Sequence, residues 1–488
     1  MTAKIDSIIP NLPVGWANIE FGKGITIIDY RGRTPPYSFH GIPHIRSSNI
    51  RNGKVLLNGL KYISNEAYDK YMTRGFPKKG DLLFTTEAPM GEIALIPDFL
   101  FSVAQRLLIL SPVENCLDSK FLLYQIMSAD FQSKIRIKGT GTTVTGVSSR
   151  NLKPVQILIA PIFEQRRIAR KIEELFSFLD AGTASLHKVQ TELKRYRQAV
   201  LKYAFEGKLT EEWRKKNRNH SEPILKSLEP APINQNARAP LDYSELPENW
   251  IWAQFDAVCN KIQDGTHFSP KTQYDKPGEN TYLYITAKNI KESGIDLSNV
   301  TYVDFLTHKS ISKRCNPEIN DVLLIKDGVK TGVATVNTLE EAFSLLSSVA
   351  LFKPKENLLN PYFLKHFLNS PTGFKLTTGK MTGTAIKRII LDKIRKSCLP
   401  LAPLSEQIKI VEEIEFRLSI ADAIASVAKK SLNQSVTLRN SILQSAFRGK
   451  LVVQDPSDEP AELWLYRIKN QKKDLSKNTT RGLMNYVK

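Results

Sequence analysis

The residues that come nearest to an active-site pattern are Thr34-Pro35-Pro36-Tyr37. An amide or carboxylate ahead of Pro-Pro would accept a hydrogen bond from a target amine, while the aromatic ring stacked on a flipped base. Thr34 has no carbonyl oxygen for that bond, and no donor-binding strand and loop surround it. Gly207-Lys208 and Gly449-Lys450 are each followed by Leu rather than Ser or Thr, so neither is a phosphate loop. Phe21-Gly22-Lys23-Gly24 offers two glycines after a Phe, too little for a methyl-donor loop. His40 and His44 are separated by Gly41 and Pro43, share no helical face and make a poor metal pair. Cys116, Cys259, Cys315 and Cys398 contain no Cys-x-x-Cys pair, so no zinc site or disulfide framework is expected, and a reducing cytoplasm fits. The chain is expected to be non-catalytic, with no metal or cofactor of its own.

Recognition is the better fit. Lys and Arg outnumber Asp and Glu by 69 to 49, a formal charge of +20. Such an excess favours a polyanion, either nucleic acid or an anionic membrane, the bland alternative being a solvated basic surface. No apolar run reaches the roughly 18–20 residues that span a bilayer, and Met1 to Pro10 lacks a signal pattern. A chain of 488 residues, 41% hydrophobic, is long enough for about three domains with substantial cores.

The elements that must position any recognition surface are duplicated. Pro161-Ile162-Phe163-Glu164-Gln165 answers Pro403-Leu404-Ser405-Glu406-Gln407, and Ala204-Phe205-Glu206-Gly207-Lys208-Leu209 answers Ala446-Phe447-Arg448-Gly449-Lys450-Leu451, at one constant shift. Leu12-Pro13-x-x-Trp16 answers Leu246-Pro247-x-x-Trp250, Ile45-x-x-x-Asn49-Ile50 answers Ile285-x-x-x-Asn289-Ile290, Asp81-Leu82-Leu83 answers Asp321-Val322-Leu323, and Phe101-Ser102 answers Phe343-Ser344. The fold expected is α+β: two similar mixed α/β domains, 1–160 and 246–400, separated by two long helices packed as an antiparallel coiled coil. The helical segments are 161–213 and 401–455, with a Pro-interrupted polar linker over 214–245 and a basic tail over 456–488 that begins with a short helix near Glu462 to Asn470. Runs of strand length fall at Ile42 to Ile45, Asp81 to Thr85, Leu107 to Leu110 and Val155 to Ile159, with one helix over 120–135.

Ile168, Ile172, Leu175, Leu179, Gly182, Leu186, Val189, Leu193, Tyr196, Val200 and Tyr203 follow steps of four and three, a seam that faces a partner helix. Ile410, Ile414, Ala421, Ile424, Ala428, Leu438 and Ile442 continue it in the second helix, where Arg417, Ser431 and Ser435 interrupt. A helix of about 45 residues needs such a partner, and at 1.5 Å per residue it is roughly 68 Å long. An internal repeat of this kind gives an approximate two-fold axis within one chain, which suits duplex DNA.

In the order and duplication of these motifs, the chain resembles the specificity subunits of type I restriction–modification systems over nearly its whole length. Leu209-Thr210-Glu211-Glu212-Trp213-Arg214, Gln454-Asp455-Pro456-x-Asp458-Glu459-Pro460-Ala461 and Asp264-Gly265-Thr266-His267 with Pro270 add to the likeness. The resemblance implies a phage-defence protein in which each globular domain is a target-recognition domain that reads one half of an interrupted DNA target. The helices would set the gap and dock two methyltransferase subunits, to which ATP-dependent restriction subunits add cleavage. S-adenosylmethionine, ATP and Mg would belong to those partners. The repeated motif residues Glu164, Gln165, Phe205, Gly207, Lys208, Leu209, Glu406, Gln407, Phe447, Gly449, Lys450 and Leu451 are then the expected subunit-docking positions.

Base readers cannot be carried over by motif, so they are sought among polar loop residues where the repeats differ. The first domain offers Arg33, Thr34, Arg46, Ser47, Ser48, Asn49, Gln105, Arg106, Lys138, Thr140, Thr142 and Thr143. The second offers Thr266, His267, Lys271, Thr286, Lys288, Asn289, Lys326, Ser347, Ser348, Lys380, Thr382, Thr384 and Lys387. Gln105-Arg106, aligned with Ser347-Ser348, is the sharpest pair, because Gln can pair with adenine and Arg with guanine; bracing the domain's own loops is the other role open to it. Thr140-Gly141-Thr142 and Thr382-Gly383-Thr384 offer backbone N–H groups to a phosphate, or simply turn the chain. Two other classes compete. A self-contained methyltransferase or nuclease lacks its motifs here, and a coiled-coil scaffold would bind proteins but not duplex.

Overall fold

The computed structural model describes residues 12–30, 34–140, 145–217, 246–379 and 388–467. The chain divides into two compact units, Met1–Leu186 with Lys430–Lys488, and His187–Lys429. Each unit joins one globular domain to stretches of both long helices, Ile162–Phe205 and Leu404–Ala446.

In the first unit, Leu82-Leu83-Phe84 and Leu107-Leu108-Ile109-Leu110 are unbroken apolar runs. Side chains alternate along a strand, so such a run requires both faces to be covered. They form the inner strands of an antiparallel sheet ordered Ile25–Asp29, Leu107–Pro112, Leu82–Thr85, Ile93–Leu95. Leu82, Phe84, Leu108 and Leu110 face a core shared with Phe121, Ile168 and Phe447. Leu83, Leu107 and Ile109 face a second core with Ile45, Ile50 and Val103. A three-stranded sheet, Lys61–Ile63, Ile42–Ile45, Ser102–Val103, contributes to that second core.

The second unit repeats the plan with Cys259–Asp264, Val349–Pro354, Val322–Ile325 and Ala334–Val336. Val322 and Leu324 face Phe205, Phe363 and Ile410, while Leu323 and Ile325 face Ile285, Ile290 and Phe343. The single helix expected over 120–135 is two, Ser119–Met127 and Ala129–Lys138. Ser128 breaks it: its backbone is extended, and its hydroxyl caps the next helix by accepting from the Phe131 N–H. Ser370 does the same in the second unit, ahead of Pro371.

Within each unit the two long helices run antiparallel. Arg167 pairs with Asp458, beyond the end of the second helix, and Asp180 with Arg439 in the first unit; Arg197 pairs with Asp422, and Arg214, beyond the end of the first helix, with Glu406 in the second. In both, the partner number falls as the first number rises. The seam of the second helix differs from expectation. Ile410, Ile414, Ala421, Ala428 and Ile442 are buried, but Ile424 and Leu438 are 44% and 50% exposed. Ser431 and Ser435 are half-buried, so small residues share the face where bulky apolar ones were expected.

The duplicated motifs prove to be joints between domain and helix. Gln165 donates to the carbonyls of Cys116 and Ala160 and accepts from the Asp118 N–H; Gln407 does the same with Leu358, Ala402 and Asn360. Gly207 and Gly449 adopt φ of 70° and 68°, the left-handed helix end that favours glycine. A Cβ on Gly207 would lie 2.3 Å from Pro247, and one on Gly449 would lie 2.5 Å from Pro13. The Leu-Pro-x-x-Trp segment of each domain therefore packs on the helix end of the other repeat. The expected docking positions lie largely inside these joints. Glu164, Gln165, Phe205, Gly207, Glu406, Gln407 and Phe447 are buried within their own units and present no surface, and Gly449, Leu209 and Leu451 are half-buried. Lys208 and Lys450 remain exposed.

Candidate nucleic-acid interface

In the first unit, a cleft of about 350 Å³ opens between three loops, lined by Thr86, Glu87, Gln105, Arg106, Thr140, Gly146, Val147 and Ser148. Backbone hydrogen bonds lock its walls together. The Thr86 N–H and hydroxyl both donate to the Arg106 carbonyl, at 2.9 and 3.1 Å, and the Val147 N–H donates to the Thr86 carbonyl at 2.9 Å. Thr140 and Gly146 exchange two further backbone bonds. Gly146 permits this approach, because a Cβ there would meet the Thr86 carbonyl and Glu87 Cβ at 3.2 Å. Gln105 and Arg106 form the exposed turn between two strands, and Arg106 Nε lies 2.8 Å from Glu87 Oε1. Three expected readers, Gln105, Arg106 and Thr140, are thus brought to one place.

The remaining first-domain positions divide by burial. Thr34, Ser48 and Lys138 are exposed. Ser47 and Asn49 are buried and occupied: Ser47 donates to the Ala88 carbonyl, and Asn49 accepts from the Arg46 N–H and donates to the Leu56 carbonyl. Arg46 is half-buried, with Nη2 on the Gly59 carbonyl. These three brace the loop.

In the second unit the Lys326 N–H donates to the Ser348 carbonyl and the Ile389 N–H to the Lys326 carbonyl, the same ladder that Thr86 makes with Arg106 and Val147. Lys326 itself, expected to contact DNA, is buried. Its side chain is 2% exposed, with Nζ 3.3 Å from both Asp264 and Asp327. Asp264 is also held by Arg314 Nη2 at 2.7 Å and lies 3.5 Å from His267 Nε2. Desolvating an ammonium is costly unless carboxylates compensate it, so Lys326 is a structural cation. Asn289, like Asn49, is buried, accepting from Thr286 and donating to the Asp296 carbonyl. Thr266 closes a local turn with Phe268, and Ser347 and Ser348 are half-buried, with the Ser348 hydroxyl accepting from the Ala287 N–H. His267, Lys271 and Lys288 are exposed. Arg33, Thr142, Thr143, Lys380, Thr382, Thr384 and Lys387 lie outside the described residues, as does most of the linker over 214–245.

Three functional candidates lie outside the sequence expectations: Glu87, Asp327 and Arg388. Cations and amides are the usual base readers, so an acid gives no such signal. The available signal was the repeat itself, since Glu87 and Asp327 stand six residues after the matched Asp81 and Asp321. No helix among the described residues is long and apolar enough to cross a membrane, and no group of three or more His, Cys, Asp or Glu residues there is placed to hold a metal.

Comparison with known proteins agrees with this architecture. The EcoBI type I restriction enzyme specificity subunit of Escherichia coli is 26% identical over 454 residues, covering 91% of this chain and 86% of its own length. The EcoDI specificity subunit of the same organism is 26% identical over 368 residues, covering 74% of this chain and 76% of its own length. Among solved structures, a chain from a study of complex assembly and conformational transition in the type I R-M system superposes with a TM-score of 0.68 at 19% identity, over 90% of this chain and 99% of that one. The HsdS subunit from Thermoanaerobacter tengcongensis gives 0.53 at 19% identity, over 90% and 98%. The sequence pattern described as Type I restriction modification DNA specificity domain matches twice, at residues 26–193 and 247–425, and the chain belongs to that family.

Proposed function

We propose that this protein is the non-catalytic, DNA-reading subunit of a type I restriction–modification complex, each globular domain reading one half of a bipartite duplex target. The observation that carries the reading is a matched framework that holds unmatched residues. The same sheet and the same backbone ladder hold Gln105-Arg106 in one unit and Ser347-Ser348 in the other. The formal charge of +20 supplies sequence-independent attraction to phosphates, and exposed Ser48, Lys138, Lys271 and Lys288 are placed to contribute to it.

The paired helices fix the gap between half-sites and carry two methyltransferase subunits. Their accessible surface includes the stripe Phe416, Ile420, Ile424 and Val427, whose spacing keeps exposed apolar side chains on one face. The partners bring the chemistry: methyltransferase subunits bind S-adenosylmethionine, and restriction subunits use ATP and Mg.

Co-expression with the neighbouring methyltransferase subunit in a naive host, followed by sequencing of methylated DNA, tests the reading. One asymmetric bipartite motif is expected, and replacing residues 1–160 should change one half-site alone. A stable complex that methylates nothing and binds no duplex at moderate salt would make the chain a protein scaffold instead.

A further inference from the structure

Glu87 and Asp327 occupy the same place beside the backbone ladder of the two units. Each follows the residue at the centre of the backbone ladder, and each forms an isolated antiparallel bridge, Glu87 with Gly146 and Asp327 with Arg388. In each unit an arginine approaches the acid through Nε, Arg106 Nε to Glu87 Oε1 at 2.8 Å and Arg388 Nε to Asp327 Oδ1 at 3.3 Å. The arginines come from opposite walls: Arg106 from the strand turn, where the second unit has Ser348, and Arg388 from the position of Gly146. Their side chains stay 47% and 53% exposed.

A carboxylate in a DNA-facing cleft repels phosphate, so its presence in both repeats of a strongly basic chain asks for a reason. The geometry points to one: Glu87 and Asp327 are positioning residues that hold Arg106 and Arg388 as guanine readers, one per half-site. An acid at ion-pair distance from Nε restrains the guanidinium, and no other ion pair or hydrogen bond among the described residues engages the end that carries the two terminal nitrogens. That end matches the O6 and N7 acceptors of guanine in the major groove. Fixing the side chain beforehand removes entropy otherwise lost on binding, and the neutral ion pair adds discrimination without adding a phosphate contact. The inference rests on the DNA-reading role proposed above. It goes further in predicting a guanine in each half-site and in naming the residues that read it.

The test uses the complex with the methyltransferase subunit, comparing wild type with R106K, E87Q, R388K and D327N. Motif sequencing and duplex competition at several salt concentrations are read together. R106K and E87Q should each lose roughly 5- to 150-fold discrimination at one guanine of one half-site, with the other half-site and the salt slope unchanged. R388K should do the same in the opposite half, as should D327N, which also costs stability because Asp327 faces the buried Lys326. Lysine does not rescue arginine, because it lacks the bidentate fork. Unchanged motifs in all four variants would make the pairs ordinary surface bridges, overturning the inference while leaving the DNA-reading role intact. Uniform weakening across sequences with a shallower salt slope would make the arginines phosphate contacts, which also overturns it. A wild-type complex with no bipartite motif and no duplex binding would remove the DNA-reading role itself, and this inference with it.

Discussion

Arg214 donates from Nε and Nη2 to one oxygen of Glu406, at 3.0 and 2.7 Å. The Thr210 hydroxyl donates to the same oxygen at 2.7 Å, and the Trp250 indole donates to the other at 2.9 Å. The repeat places Glu164 at the equivalent joint, where Gln454 approaches both oxygens at 3.3 Å. One carboxylate is balanced by a guanidinium and the other is not; burial holds the Glu164 carboxyl above its ordinary value.

These joints should respond oppositely to the same change. Glu406→Gln leaves Arg214 without its counter-ion in a largely buried site and should cost about 3 kcal/mol. Glu164→Gln removes a charge that burial disfavours and should be neutral or slightly stabilising at pH 7. Chemical denaturation of the two variants measures the difference. Equal losses would show that the joints are held by shape, not charge.

Gln165→Leu should cost about 3 kcal/mol, because it strands the Cys116 and Ala160 carbonyls and the Asp118 N–H without partners in a buried site. The change should appear as a lower unfolding midpoint with an unchanged denaturant slope. A loss below roughly 0.5 kcal/mol would mean that the glutamine is not the staple between helix and domain.

Much of this architecture was legible because duplication supplied a second reading of each element. The antiparallel helices, the matched sheets and the family were all visible in motif order. What the motifs do was not. Glu164, Gln165, Glu406 and Gln407 are polar residues at a helix start, and sequence alone does not say whether such a residue faces a partner or staples its own domain. The same limit misplaced Lys326, which resembles any loop lysine until Asp264, distant in sequence, is folded beside it. Ser128 broke a helix that apolar periodicity had run straight through, because its hydroxyl offered the backbone a cap. Burial and long-range pairing decide these cases, and neither is a local property of the chain.

Lys326→Met separates a structural cation from a DNA contact. Removing the ammonium leaves Asp264 to Arg314 and Asp327 to Arg388, and should cost about 3 kcal/mol of stability in the second domain. The salt dependence of duplex binding by the intact complex should keep its slope, since no phosphate contact is lost. A slope shallower by about one, with stability unchanged, would return Lys326 to the interface.

His44 gives the first unit a defined acid sensitivity. Its ring is fully buried, with Nδ1 2.8 Å from the Ser102 hydroxyl, and burial together with the nearby Arg46 charge lowers its pKa to about 4. The unfolded chain, with an ordinary histidine near 6.5, therefore binds the proton that the folded chain refuses. Stability from this residue is fully present above about pH 6.5 and is lost progressively as pH falls towards 4, up to about 3 kcal/mol in all. Burial also lowers the pKa of His308 and His366 in the second unit, so the total acid response belongs to several groups. The difference between wild type and His44→Gln isolates one of them. Denaturation at pH 7, 6, 5 and 4.5 should show the stability gap between the two proteins shrinking as pH falls. A gap that stays constant over that range would mean that folding leaves the proton affinity of His44 unchanged, against the burial that defines its site.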